Sequence, residues 1–204
     1  MIRSFKRPLS AWRKERANCM SILNKIEKEE IRNLLGKGWL THDGMWFFHA
    51  WNQLGIDQAN ALNLNAIKSL APIEVERARK VLGIDRKSLV AFDKLMEFML
   101  SALEITLPES VFRKMRFVSL PENRIQWTWE TGECFAYKGI KQIGAIAGYR
   151  CGVIYRIQCW LEALGLGCSV HPEIDGCLMH ESGECKGEIQ IIYNKDNSCN
   201  PGRQ

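Results

Sequence analysis

The chain lacks the glycine-rich loops that cradle nucleotide phosphates: no Walker loop, no dinucleotide fingerprint, and no His-Glu-x-x-His zinc signature occurs in its 204 residues. Nucleotide-driven chemistry is set aside on that ground. No apolar run is long enough to span a bilayer, since the most apolar stretch, residues 140–167, is interrupted by Lys141, Arg150, Arg156 and Glu162. The start of the chain has neither the apolar core nor the small-residue cleavage site of a secretory leader. A cytoplasmic protein with no membrane partner is therefore expected. Internal repeats, low-complexity segments and long linkers are missing too, as is any tight Cys-x-x-Cys pair.

What is present reads as one soluble globular domain, 46% hydrophobic and 25% charged. The net charge of +5 is concentrated in Arg3, Lys6, Arg7, Arg13, Lys14 and Arg16. A short basic arm without a reader module is a solvated tail, so no nucleic-acid partner is expected. Eight cysteines stand out, because all but Cys19 lie between Cys134 and Cys199. In a reducing compartment such a concentration points to metal ligands, a reactive thiol or buried apolar use before disulfides.

Periodicity divides the chain. Residues 1–20 form the basic arm, 21–107 a helical part, 108–194 a hairpin, helix and hairpin of the same domain, and 195–204 a tail. Five helices are expected before the first strand. The first ends at Gly36 and Gly38, the second begins at Thr41 as N-cap, and Gly55 stops it. The third covers residues 57–69, the fourth opens at Pro72, and the fifth runs from Asp85 as N-cap to Pro108. After Pro108 the period changes to two: Ile125, Trp127 and Trp129 alternate with Gln126, Thr128 and Glu130, which makes a hairpin about residues 121–123. A helix follows over "CGVIYRIQCWLEALG", and a second hairpin turns at Ser182-Gly183. The expected class is α+β, with N-terminal helices followed by a β-β-α-β-β unit and helices packed on an antiparallel sheet.

Two stretches carry candidate chemistry. "DGCLMHESGEC" sets Cys177 and Cys185 on the arms of the second hairpin, where an odd loop or a bulge would put both sulfurs on one side. Cys151, at the start of the late helix, is a third candidate metal ligand, and Glu173, His171 or His180 a fourth. Two half-buried cysteines on a hairpin are the plainer reading of the same residues. In "WLTHDGMWFFHAWNQLG", His42, Trp46 and His49 share one helical face, which would make a ligand-binding wall, while Asp43 suits a first helical turn. Cys159 is a buried small residue or a nucleophile near His180; Cys134, Cys19 and Cys199 are given no role.

The spacing Cys151, Cys177, Cys185, at the end of a helices-hairpin-helix-hairpin chain, resembles the 4-vinyl reductase domain. That superfamily extends to aromatic-sensing domains of bacterial transcription activators and, remotely, to vesicle-tethering subunits of the TRAPP type. The resemblance implies a zinc ion held by Cys151, Cys177 and Cys185 beside a hydrophobic pocket. Its glutamate ligand falls at Ile174 here, with Glu173 and Asp175 the nearest carboxylates. Over most of its length the chain is also similar to small bacterial and archaeal cytosolic proteins discussed beside the L-2-amino-thiazoline-4-carboxylate hydrolase family, which carry no agreed activity.

Three functions are then expected in competition. The leading one is a domain that binds a small hydrophobic or aromatic molecule, with structural zinc closed by Glu173 or, failing it, His180 or His171. The second is a hydrolase of an amide- or amidine-like bond, with water on zinc and His180 or Glu173 carrying the proton. The third is a homodimeric assembly module without ligand.

Overall fold

The computed structural model describes residues 22–193. The basic arm, Cys19, Cys199 and the tail at 195–204 lie outside the described residues.

The helical part is built from fewer, longer helices than the breakers suggest. Helix α1 spans Lys28–Leu54 without interruption. The Glu27 N–H donates to the Glu30 carboxylate at its start, and Gly55, with φ of 82°, ends it. Gly36 and Gly38 therefore do not stop a helix, and neither Thr41 nor Asp43 stands at an N-terminus. A glycine inside a helix costs about 1 kcal/mol relative to alanine. Packing explains Gly36, because a Cβ there would lie 2.9 Å from Pro108 Cδ. Helix α2, Ile56–Leu82, likewise runs through Pro72, where two helices were expected. Proline removes one backbone hydrogen bond, but Ile67, Ala71, Val75 and Ala78 are buried on either side and hold both halves in the core. Asp85 does cap, although it caps a 3-10 turn, Arg86–Val90, and accepts from the Lys87 N–H. Helix α3, Phe92–Thr106, follows, burying Leu95, Phe98, Met99 and Ala102; the single-turn α4 covers Glu109–Phe112.

Strands β1, Met115–Leu120, and β2, Arg124–Trp129, pair antiparallel from Met115↔Trp129 to Leu120↔Arg124, as their alternation predicts. Their turn places Glu122 and Asn123 in the left-handed region. Then come α5, Phe135–Gln142, and α6, Gly152–Ala163, which packs along α2 and against β3. Strands β3, Gly167–His171, and β4, Lys186–Ile192, are also antiparallel, and the sheet order is β1-β2-β4-β3. They are not joined by a tight turn. Residues 172–185 form a wide connection that includes the single-turn helix α7, Leu178–Glu181. The expected β-β-α-β-β unit is thus corrected to one with α5 added before α6 and α7 inserted between the last strands.

The result is an α+β fold in which seven α-helices, among the described residues, pack with a four-stranded antiparallel sheet. One core joins both halves: Leu95, Phe98, Trp127, Trp160, Leu161 and Ile189 are almost wholly buried within it. No described helix is long and apolar enough to cross a membrane.

Candidate metal centre and adjoining cleft

Four of the cysteines stand just before separate elements. Cys134 immediately precedes α5, Cys151 precedes α6, Cys177 precedes α7, and Cys185 precedes β4. The hairpin problem posed by Cys177 and Cys185 dissolves, because Cys177 sits on the wide connection and no strand register binds it. Met179 Sδ accepts from the Gly132 N–H, tying α7 to the turn before Cys134. The Cys185 carbonyl accepts from the Trp129 N–H at the end of β2.

Burial dominates the thiols' chemistry. It pushes Cys134 up to about 12 and Cys185 up to about 12, and it raises Cys151 and Cys177 in the same direction. Mutual repulsion adds to this. Cys151 and Cys185 raise Cys134, and Cys177 raises both Cys151 and Cys185.

Nearby N–H groups offset part of this rise. The donors are Tyr137 and Ala136 at Cys134, Ile154 and Val153 at Cys151, and His180 and Met179 at Cys177. None of these three closes a conventional capping hydrogen bond, as suits a large, diffuse sulfur acceptor. The Trp127 indole near Cys185 lowers its thiol in part, although Nε1–H is buried without a hydrogen-bond partner. Tyr149 completes the set. Its phenol is pushed far up, first by burial and then by Cys151, Cys134 and Cys177, so it keeps its proton. The Gly152 N–H donates to its oxygen at 3.1 Å, leaving the O–H free to turn toward sulfur.

The loop that carries Cys151 is fixed from α2. Asn60 is 2% exposed; its amide donates to the Gly148 carbonyl at 2.8 Å and accepts from the Arg150 N–H at 3.0 Å. Gly152 permits the approach of α6 to α2, since a Cβ there would meet Ile67 Cδ1 at 2.7 Å. The Tyr149 ring packs edge-on against Phe47 of α1, with centroids 5.5 Å apart.

Among the described residues, no three His, Cys, Asp or Glu side chains already stand in metal-ligating geometry. The thiols are protonated neighbours, and a cation would have to draw them inward as their protons leave. Thiols are soft donors of the type zinc takes, and these stand at helix and strand starts. Of the groups expected to close the shell, Glu173, His171 and His180 are exposed, and the neighbouring Asp175 pairs with Arg150. Cys159 and Cys168 form a different neighbourhood on α6 and β3, with Tyr155 beside Cys159 and burial raising Cys168 to about 11.

Beside the thiols lies a cavity of about 80 Å³, walled by Trp39, Leu103, Phe117, Trp129, Phe135 and Val153, with Arg156 at its edge. A more open cleft of about 340 Å³ adjoins it, sharing Asp43, Asn63, Phe135, Ala136 and Tyr149. The Arg156 guanidinium lies 4.8 Å from the Trp39 ring and pairs with Glu74, which also accepts from Trp160 Nε1. His42, Trp46 and His49 do come together, along a separate open groove of about 850 Å³ between α1 and α2. Trp46 is 68% exposed there, and Asp43 and Asn63 border the groove as well as both clefts.

The thiols' burial sets a pH dependence for the metal-free protein. The folded state holds these protons more tightly than the unfolded chain, whose thiols titrate near 8.5. Their contribution to stability is complete below that pH and is lost as pH rises through about 12. Thermal melts in reductant and chelator should be level from about pH 6 to 8 and fall above about 9. The fall should be shallower in Cys185→Ser, and an equal slope in that variant would contradict the assignment.

Fold and site together define an α+β protein with an apolar cleft whose lining residues follow Cys134 and Cys151 in sequence. The chain belongs to DUF6125, a family of unknown function, whose sequence pattern matches residues 22–147. That span includes Cys134 and ends before Cys151. No curated protein and no solved structure matches the chain.

Proposed function

We propose that the protein binds a small hydrophobic or aromatic molecule in the cleft beside α5 and α6, and that the thiols of Cys151, Cys177 and Cys185 hold a structural zinc ion behind it. The observation that carries this reading is the shared wall. Phe135 and Ala136 follow Cys134 in sequence, Gly152 and Val153 follow Cys151, and all four line the cavity together with Tyr149. A cation holding the thiols would fix the start of both helices, and with them one side of the cleft.

The cleft supplies what an aromatic ligand requires: indole and phenyl faces for stacking, and a few polar groups at the rim in Asp43, Asn63 and Arg156. Zinc, when bound, contributes cross-linking between elements distant in sequence. The likeness of the cysteine spacing to the 4-vinyl reductase domain agrees with this reading, which extends to that fold.

Indole, benzoate and anilinonaphthalene probes should quench tryptophan emission saturably, because Trp39 and Trp129 face the cavity. Trp39→Ala should weaken the best probe about tenfold, the equivalent of losing one aromatic contact of roughly 1.4 kcal/mol. Trp46→Ala, on the outer groove, should change it little. If none of the probes shifts emission or melting temperature, the cleft is not a binding site.

A further inference from the structure

We infer that the cleft takes an aromatic amine, whose ammonium group pairs with Asp43 while its ring lies among the indoles and phenyls. The inference rests on the cleft reading above and is independent of any metal.

Charge is scarce where the ring would lie. Of the residues lining the inner cavity only Asp43 and Arg156 are charged, and in the adjoining cleft Asp43 is alone. The two charges are not equivalent. The Arg156 guanidinium donates to one oxygen of Glu74, and the Trp160 indole donates to the other at 2.8 Å. That ion pair is largely buried, its side chains 16% and 14% exposed. A ligand carboxylate at Arg156 would have to compete with Glu74, and a buried carboxylate stripped of its partner is strongly destabilising. The cleft thus disfavours an acid.

Asp43 is differently placed. It stands in the middle of α1, so it has no helix end to cap, and among the described residues no side chain pairs with its carboxylate. Across from it on α2, Asn63 borders the same spaces, and its amide carbonyl can accept a second ammonium proton. Phe47, Phe135 and Tyr149 wall the adjoining cleft, and aromatic faces attract a cation. One carboxylate, one amide and three rings are what an aromatic amine requires.

Tryptamine, indole and indole-3-propionate share one ring system and differ in charge, so calorimetry on the full chain reads the preference directly. Asp43 is solvent-exposed, which keeps the gain modest. Tryptamine should bind about tenfold tighter than indole, and indole-3-propionate more weakly than indole. The tryptamine advantage should shrink as salt rises, shrink in Asn63→Ala and disappear in Asp43→Asn. Asp43 also borders the outer groove that holds Trp46, so two further variants place the ring. Trp39→Ala should weaken tryptamine about tenfold, and Trp46→Ala should leave it near wild type.

Equal affinities for tryptamine and indole, a preference for indole-3-propionate, or an advantage that survives Asp43→Asn would overturn the inference and leave the cleft reading standing. Tryptamine weakened by Trp46→Ala and not by Trp39→Ala would put the amine in the outer groove and overturn it as well. If none of the three compounds binds, both readings fall. Should Asp43→Asn not fold, the wild-type ranking of the three compounds decides alone.

Discussion

Removing zinc from the purified protein should lower its melting temperature by roughly 8–16 °C without abolishing the fold. The figure follows from linkage. A cation present at about 1,000 times its dissociation constant stabilises the folded state by about 4 kcal/mol. In a chain of this length each kcal/mol moves the midpoint by about 2–4 °C. A zinc finger unfolds outright without its metal because it has no other core. Here Leu95, Phe98, Ala71 and Leu161 belong to a large apolar core of α2, α3, α6 and the sheet that needs no metal to form. Loss of protection in hydrogen exchange should be confined to residues 145–152 and 172–185, the segments that carry Cys151, Cys177 and Cys185. Cys177→Ser and Cys185→Ser should melt like the chelated wild type and gain nothing from added zinc. If chelation moves neither the midpoint nor the exchange pattern, and no zinc accompanies the purified chain, the centre does not exist.

Much of the fold is legible in the sequence where period and burial agree. The β1–β2 hairpin is an instance: Ile125, Trp127 and Trp129 alternate inward, and the turn at 121–123 falls where the composition places it. The α6 stripe is another. Local breakers mislead where tertiary packing outweighs them. Gly36 reads as a helix stop, yet it is small because Pro108 crosses α1 there, and Pro72 reads as a helix start although a buried face runs through it. The α7 turn hides inside a segment with strand-like ends, which made Ser182-Gly183 resemble a hairpin.

The candidate site divides in the same way. Cys151, Cys177 and Cys185 are conspicuous by spacing. Cys134 carries no such spacing signal, lying seventeen positions before Cys151. A physical hint was available: cysteine directly before a short helix is a place where N–H groups converge on a side chain. Asn60 and Tyr149 were out of reach, since nothing near Asn60 in sequence shows that its partners are some ninety residues away.

Asn60→Ala should cost about 2–4 kcal/mol, or roughly 4–16 °C in melting temperature, and weaken zinc binding as well. Asn60 is wholly inside the protein, and its amide satisfies two backbone groups of the loop that delivers Cys151: the Gly148 carbonyl and the Arg150 N–H. Alanine leaves both unpaired, each at about 1–3 kcal/mol, and water can reach them only if the loop shifts. A shifted loop moves Tyr149 and Cys151 together, because Gly152 N–H is bonded to the Tyr149 oxygen. Asn60→Asp isolates the donor half of the interaction. The carboxylate can still accept from Arg150, but it cannot donate to Gly148 and instead sets two oxygens against each other. That repulsion is relieved by protonation, so the folded-state carboxyl titrates above its unfolded value. The variant's deficit relative to wild type should therefore shrink as pH falls toward about 4 and grow above it. Asn63→Ala, one turn along α2 and facing the cleft, provides the contrast. It should leave stability and zinc affinity near wild type while changing binding of the aromatic probes. If Asn60→Ala lowers stability but leaves zinc affinity at the wild-type value, the α2 contact supports the fold alone and does not position the thiols.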